Sequence, residues 1–217
     1  WSMHGQNVSL SQCIATLEQQ GVIVPVGKWV ITQTARAAQH ILSLRPDFRF
    51  SINISYLQLL DDGLFPHIRQ TLQQFHIPAH NLLIELTETH HDSAPERLEA
   101  FIRQCKEIGI SFVLDDFGTA YSNLSLLLQH PADLIKLDQT LIHGITSSKQ
   151  KLDFIASIIY SCHRFGKQVC VEGVETEDEF NLIRQTGCDF IQGFYFYRPL
   201  DLDALGRLLE TPEGTIS

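Results

Sequence analysis

The 217-residue chain has few basic residues, with 16 lysines and arginines against 25 aspartates and glutamates and a net charge of −9. Because a nucleic-acid-binding surface needs clustered cations, this composition argues against nucleic acid as a partner. The five cysteines are odd in number and lack C-x-x-C spacing. They therefore favour reduced thiols in a cytoplasmic compartment over a disulfide framework or a zinc site.

Long apolar runs are also missing, since none reaches the length of a membrane span and no secretory signal is visible. The chain begins with Trp1. We therefore expect it to be a piece of a longer protein, which is free to carry a membrane anchor in other segments. No low-complexity tract or linker divides the sequence, so we interpret residues 1–217 as a single domain.

Short apolar runs alternate with helical patterns along most of the chain. The predicted strands are Arg49–Ser55, Leu82–Thr87, Ser111–Asp115, Leu134–Asp138, Gln168–Glu172 and Phe190–Tyr195. The predicted helices cover residues 9–20, 27–44, 63–76, 93–108, 150–165, 177–186 and 202–210. Gly109, Gly166 and Gly187 each follow a helix, where a left-handed C-terminal cap is expected. This alternation predicts an α/β fold with a parallel sheet.

Polar residues gather at the carboxyl ends of these strands. The most informative are Asp115 and Asp116, adjacent acids that repel each other unless a cation lies beside them, for which a divalent metal is the common solution. Contact with solvent explains a single polar strand end as well as an active site does. Recurrence at six consecutive strands, four of which supply acids, instead favours the active-site face of a (β/α) barrel. Such a barrel needs eight strands, so two would lie upstream of Trp1.

Five ordered motifs give the chain a family resemblance. They are Ile84–Thr89 (IELTET), Asp115–Ser122 (DDFGTAYS), Ile135–Asp138 (IKLD), Val171–Thr176 (VEGVET) and Gln192–Pro199 (QGFYFYRP). Together with Ser51–Ser55 (SINIS), these motifs resemble the EAL domain family of bacterial cyclic-di-GMP phosphodiesterases. The resemblance implies a modified TIM barrel whose first strand is antiparallel to the others. It also implies hydrolysis of cyclic-di-GMP to linear 5′-pGpG.

The resemblance assigns a role to each matched residue. It implies that two Mg²⁺ or Mn²⁺ ions are bound by Asn53, Glu85, Asp115 and Asp116, with Asp115 bridging them. Lys136 and Glu172 match the residues at the attacking water. Glu88, Asp138 and Glu175 match family residues that support the loops around the site, and Gln192 and Gly193 match residues near the nucleotide. Two metals can both activate water and stabilise charge on a phosphoryl group, and oxygen ligands suit Mg²⁺ or Mn²⁺. Lys136 would either hold the water or accept its proton, and the second role needs a lowered pKa.

One departure leaves an alternative open. The Glu-Ala-Leu signature is absent, and Trp1 matches the tryptophan that closes the family's extended motif, so the metal-binding glutamate is expected upstream. The activity of this fragment is therefore open. The alternative function is a catalytically inactive module that binds cyclic-di-GMP or a protein partner. The family also allows a homodimer, and upstream sensory or GGDEF-like domains in the parent protein.

The aromatic run Phe194–Tyr197 is a further candidate for ligand contact. Aromatic faces stack on guanine readily. The run falls within the predicted strand Phe190–Tyr195 and its extension, so alternation predicts that about half of these side chains lie in the core.

Overall fold

A computed structural model describes residues 2–3, 6–7, 10–87, 95–118 and 131–210 of the protein. Two short strands, β1 (Ser2–Met3) and β2 (Gln6–Asn7), form an antiparallel pair. The main sheet has six parallel strands in sequence order. They are β3 (Phe50–Asn53), β4 (Leu82–Thr87), β5 (Ser111–Phe117), β6 (Leu134–Leu137), β7 (Gln168–Val171) and β8 (Phe190–Ile191).

In the described part of the chain, helices lie between neighbouring strands of the sheet except β5 and β6, as the alternating pattern predicted. In chain order they are α1 (Leu10–Gln19), α2 (Ile23–Leu44), α3 (Tyr56–Leu59), α4 (Leu64–Gln74), α5 (Pro95–Glu107), α6 (Lys149–Arg164), α7 (Glu177–Ile183) and α8 (Leu202–Glu210). Within the described ranges, no helix combines the length and apolarity needed to cross a bilayer. The left-handed glycines are confirmed, with φ of 97° at Gly109, 70° at Gly166 and 76° at Gly187.

Both faces of the sheet carry apolar side chains, which is why the strands are continuous hydrophobic runs. The helix-facing side forms two large clusters, one containing Ile84 and Phe112 and the other containing Ile135 and Val169. On the opposite face, a smaller cluster forms from Leu83, Val113, Leu134 and Cys170. The fold is therefore part of a TIM-type barrel, and the predicted fold class is confirmed. Among the described residues, no strand pairs with the outer edge of β3 or β8.

Strand β5 contains a bulge at the two adjacent aspartates. Leu114 pairs with Ile135 of β6, and the next pair along the two strands joins Phe117 to Leu137. Two residues, Asp115 and Asp116, therefore stand opposite the single residue Lys136. Asp116 adopts φ 57°, a left-handed conformation that asparagine and aspartate tolerate better than most residues. The extra residue returns Phe117 to the helix-facing core, where it is buried.

At the amino ends of the strands, side chains bind the backbone of the neighbouring strand or the loop leading to it. Asp133, just before β6, accepts a hydrogen bond of 2.8 Å from the Phe112 amide of β5. Asp189, just before β8, accepts one of 2.7 Å from the Val169 amide of β7. Asn81 donates to the Phe48 carbonyl ahead of β3. These bonds satisfy backbone groups at the end of the sheet opposite the predicted site.

The element bounds differ from the predictions mainly at the last strand. Strand β8 ends at Ile191, and residues 194–196 form a turn. Alternation therefore does not apply to the aromatic run, and the prediction that half of it lies in the core is wrong: Phe194, Tyr195 and Tyr197 are exposed and Phe196 is half-buried. Phe196 packs edge-on against Phe180 of α7, with ring centroids 5.4 Å apart.

Candidate active site at the carboxyl ends of the strands

Charged side chains from neighbouring strands form a layer next to the small apolar cluster of Leu83, Val113, Leu134 and Cys170. Residues two positions further along three of these strands are Glu85, Asp115 and Lys136. Glu172 lies two positions beyond Cys170, directly after β7. Because parallel strands bring equivalent positions to one edge, side chains that are distant in sequence meet there.

Lys136 lies at the centre of this layer. Its Nζ is 2.7 Å from Glu172 Oε1, 3.0 Å from Asp115 Oδ1 and 3.4 Å from Glu85 Oε2. Only 11% of the Lys136 side chain is exposed, and the Glu85 side chain is 8% exposed. Partly buried charges require partners, and this lysine has three.

The burial and pairing of these groups act on their pKa values in opposite directions. Burial lowers the pKa of Lys136, but the hydrogen bond to Glu172 and the attraction of Glu85 and Asp115 outweigh it, so the net pKa is raised. Burial raises the pKa of Glu172; the hydrogen bond from Lys136 offsets this in part, while Asp115 adds to it. Lys136 is therefore held in its protonated form in this arrangement, whereas the loss of a proton from Glu172 is made harder.

Three carboxylates converge beside the lysine. One oxygen from each of Asp115, Asp116 and Glu172 lies within 4.8 Å of the others. The β5 bulge makes this possible, since a regular strand would direct adjacent aspartates to opposite faces. Burial raises the pKa of Asp116, and repulsion from Asp115 and Asp138 raises it further. A cation at this cluster would relieve that repulsion.

The donor set fits a hard divalent cation. Asn53 donates from Nδ2 to Glu85 Oε2 at 3.2 Å, which leaves its amide oxygen as the available ligand atom. Asp115 Oδ1 is buried and forms no hydrogen bond, although it contributes to the ion pair with Lys136. All the candidate ligand atoms are oxygens, which Mg²⁺ and Mn²⁺ prefer.

A cavity of about 270 Å³ adjoins the carboxylate cluster. Its lining contains most of the remaining predicted residues, and consists of Asp116, Asp138, Gln139, Glu172, Gly173, Glu175, Gln192, Gly193 and Phe194. Asp138 Oδ1 also accepts a hydrogen bond of 2.9 Å from the Thr140 amide. The predicted residue Glu88 lies outside the described residues.

A second cavity, of about 570 Å³, is lined by Glu85 and Lys136 together with the small apolar cluster. Its lining includes two arginines that the sequence interpretation missed, Arg49 and Arg198. The Arg198 guanidinium lies 4.7 Å from the centre of the Phe194 ring. The sequence held a signal for Arg198, since it lies within the Gln192–Pro199 motif, whereas Arg49 opens a strand and had none. Gln139 was also missed, although it directly follows Asp138.

Two glycines allow close approach between the loops that carry these residues. Gly193 lies against the Val174 backbone, and a Cβ there would overlap its carbonyl oxygen and amide nitrogen. Gly173 has φ 76°, and a Cβ there would overlap Gln139 Cβ. The backbone also connects these loops, because the Val174 amide donates to the Gln192 carbonyl at 3.1 Å. Gln192 is therefore positioned by the loop after Glu172.

Comparison with known proteins identifies several similar to this chain. The chain is 34% identical over 194 residues to the cyclic di-GMP phosphodiesterase PdeR of Escherichia coli, covering 89% of this chain and 29% of PdeR. It shares 26% identity and a TM-score of 0.85 with a structure of the PaMucR phosphodiesterase in complex with c-di-GMP, covering 94% of this chain and 84% of that one.

A third relative was solved with a metal. The manganese and c-di-GMP complex of Klebsiella pneumoniae BlrP1 is 28% identical with a TM-score of 0.69, covering 79% of this chain and 45% of that one. The chain spans about a quarter of the length of the curated relatives it matches. The EAL domain model matches residues 1–199. The chain therefore belongs to the EAL domain family.

Proposed function

We propose that this chain is a metal-dependent phosphodiesterase domain that hydrolyses cyclic-di-GMP to linear 5′-pGpG. Its relatives include named cyclic di-GMP phosphodiesterases, which supports the reaction class. The observation that carries the proposal is the contact of Lys136 with Glu85, Asp115 and Glu172, at 2.7 to 3.4 Å. Binding alone does not require a partly buried lysine among carboxylates, whereas such a lysine can position a water for attack.

The metal site in this proposal uses four residues from three strands. Two Mg²⁺ or Mn²⁺ ions would be held by Asn53, Glu85, Asp115 and Asp116. When bound, such ions activate water and stabilise negative charge on the phosphoryl oxygens. The similarity to a protein solved with manganese and the cluster of carboxylate oxygens support this cofactor.

The chain's own residues then position the reacting groups. Since three carboxylates raise the pKa of Lys136, its Nζ holds its proton and is suited to donate a hydrogen bond to the attacking water. Metal ions bound to Glu85 and Asp115 would oppose this shift, so the role of proton acceptor also belongs to the proposal. Glu172, as the closest partner of Nζ, fixes the direction of the ammonium group and offers an acceptor oxygen for a proton of that water.

The substrate would enter from the side of the two cavities. Gln192 and Gly193 line both, together with the exposed Phe194 ring. Phe194 presents an aromatic face for a guanine base, and Arg198 supplies a cation for a phosphate. Glu175 and Asp138 lie on the wall of the smaller cavity, where they would support the loops around the cluster.

The proposal places this reaction in the cytoplasm, and the five free cysteines are consistent with a reducing compartment. Upstream sensory or GGDEF-like domains are compatible with it, since the matched relatives are much longer than this chain. A homodimer is part of the same proposal.

The test is hydrolysis of cyclic-di-GMP by the purified full-length protein, with Mg²⁺ or Mn²⁺, followed by chromatography of the product. We expect 5′-pGpG from the wild type, and none from Asp115→Asn at the same protein concentration. Asp153→Asn is the matched control, because it makes the same change at an exposed position of α6, away from both cavities. Binding of cyclic-di-GMP without hydrolysis in either metal would contradict the proposal and favour the inactive binding module.

A further inference from the structure

We propose that Lys136 limits the affinity of the site for divalent cations, because its ammonium group shares its carboxylate partners with the metal. This inference rests on the proposed function, since it concerns the same site. It predicts that a variant without this positive charge binds Mn²⁺ more tightly than the wild type, although it loses the hydrolytic role of the lysine.

The geometry supports competition for the same oxygens. Lys136 Nζ lies 3.0 Å from Asp115 Oδ1 and 3.4 Å from Glu85 Oε2, and both residues are among the four candidate ligands. A cation bound to these oxygens therefore lies within a few ångströms of a fixed positive charge. Neither charge is well screened, because the Lys136 and Glu85 side chains are only 11% and 8% exposed.

Repulsion among the carboxylates of the site explains why the lysine is nevertheless present. Glu85, Asp115, Asp116 and Glu172 bring four carboxylates together, and one ammonium offsets part of their repulsion. Without Lys136, the same acids need a metal to remain close together. Lys136 therefore stabilises the layer when no ion is bound and weakens binding when one is.

Calorimetric titration of the full-length protein with Mn²⁺, at fixed pH and ionic strength, tests the inference. For Lys136→Met we expect a dissociation constant about tenfold lower or more, since removing a like charge a few ångströms from the cation in a partly buried site has at least that effect. The same variant should melt at a lower temperature without metal and gain more from Mn²⁺ than the wild type. Lys106→Met makes the same change in net charge away from the site and should bind Mn²⁺ like the wild type.

The outcomes separate this inference from the proposed function. A wild-type protein that binds no Mn²⁺ contradicts both. A wild-type protein that binds Mn²⁺, with equal or weaker binding by Lys136→Met and Lys136→Gln, overturns only the competition. If neither variant folds without metal, Mn²⁺-driven refolding at or below the concentration that saturates the wild type supports the inference. Failure to refold at that concentration overturns it.

Discussion

Lys136 Nζ lies 2.7 Å from Glu172 Oε1, the shortest of its three ion pairs. Lys136 lies in β6 and Glu172 directly follows the neighbouring strand β7, and neither is a predicted metal ligand. Their contact connects the metal-binding side of the site with the smaller cavity, which Glu172 lines. The site is therefore one connected set of charges, in which a change at one residue alters the position of the next.

Glu172→Gln tests this connection directly. The variant keeps the shape of the side chain but removes the charge that directs Lys136, so we expect hydrolysis to fall about 10²- to 10⁴-fold. The rate should be measured at saturating Mn²⁺ and substrate, with Glu177→Gln, in the exposed first turn of α7, as the control. Full activity in Glu172→Gln would remove Glu172 from the proposed mechanism.

The left-handed conformation of Asp116 predicts a difference between two small substitutions. Alanine keeps the strain of φ 57°, whereas glycine relieves it, so Asp116→Gly should be more stable than Asp116→Ala by about 1 kcal/mol. Urea unfolding measures the difference. Both variants should lose activity, since neither supplies a carboxylate. Equal stability of the two would mean that position 116 is not left-handed in solution.

Gly193→Ala should destabilise the protein because its Cβ would overlap the Val174 backbone. Overpacking of this kind costs about 1–3 kcal/mol, and the accompanying shift should also displace Gln192 and weaken cyclic-di-GMP binding. Gly144→Ala is the comparison: Gly144 has φ 73° but open space around it, so only the backbone strain of about 1 kcal/mol is expected there. Unchanged binding in Gly193→Ala would separate this glycine from the site.

Asp133 predicts a change in stability without a change in catalysis. Its carboxylate accepts the Phe112 amide at 2.8 Å and pairs with Lys106 at 2.8 Å. Asp133→Ala leaves that strand amide without its partner, which costs about 1–3 kcal/mol. Chemical unfolding should show this loss, while the turnover of the folded variant stays within twofold of the wild type. A large fall in turnover would show that this end of the sheet is coupled to the site.

Asp61 gives a prediction for the dependence of stability on pH. The hydrogen bond from Lys28 is the largest influence on its carboxyl, and the net effect lowers its pKa below the ordinary 3.8. A lowered pKa in the folded state contributes stability that is present above the unfolded value and lost as pH falls through the folded value. Asp61→Asn should therefore be less stable than the wild type near pH 7, by no more than about 1 kcal/mol for a pair of this exposure.

The difference between Asp61→Asn and the wild type should shrink as the pH falls below 3.8, and unfolding curves at several pH values would show it. A difference that does not change across this range would mean that the Lys28 pair contributes nothing to the pH dependence.

The sequence predicted the strands and most of their polar ends because the signals are local. A strand buried on both faces is a run of apolar residues wherever it lies, and Asn53, Glu85 and Lys136 interrupt such runs at recognisable positions. The capping box of Thr176 and Glu179 at the start of α7 is a local signal of the same kind.

The contacts within the site depend on how neighbouring strands are aligned, and that information is not local. The bulge in β5 is defined by pairing with β6, so Asp115 and Asp116 alone could not reveal it. The end of β8 at Ile191 was missed for a related reason: the aromatic residues that follow have high strand propensity, but the Gly193 contact with Val174 turns the chain. Arg49 was missed because its place in the larger cavity follows from the curvature of the sheet.

The unequal lengths of β5 and β6 make this stretch intolerant of insertions and deletions. Removing either aspartate would restore regular pairing and keep Phe117 in the hydrophobic layer, two positions after Leu114, but the site would lose one of the three carboxylates that the bulge brings together. An added residue would instead turn Phe117 towards the charged interior. In related sequences, we therefore expect these two positions to exchange one acid for another more readily than to lose or gain a residue.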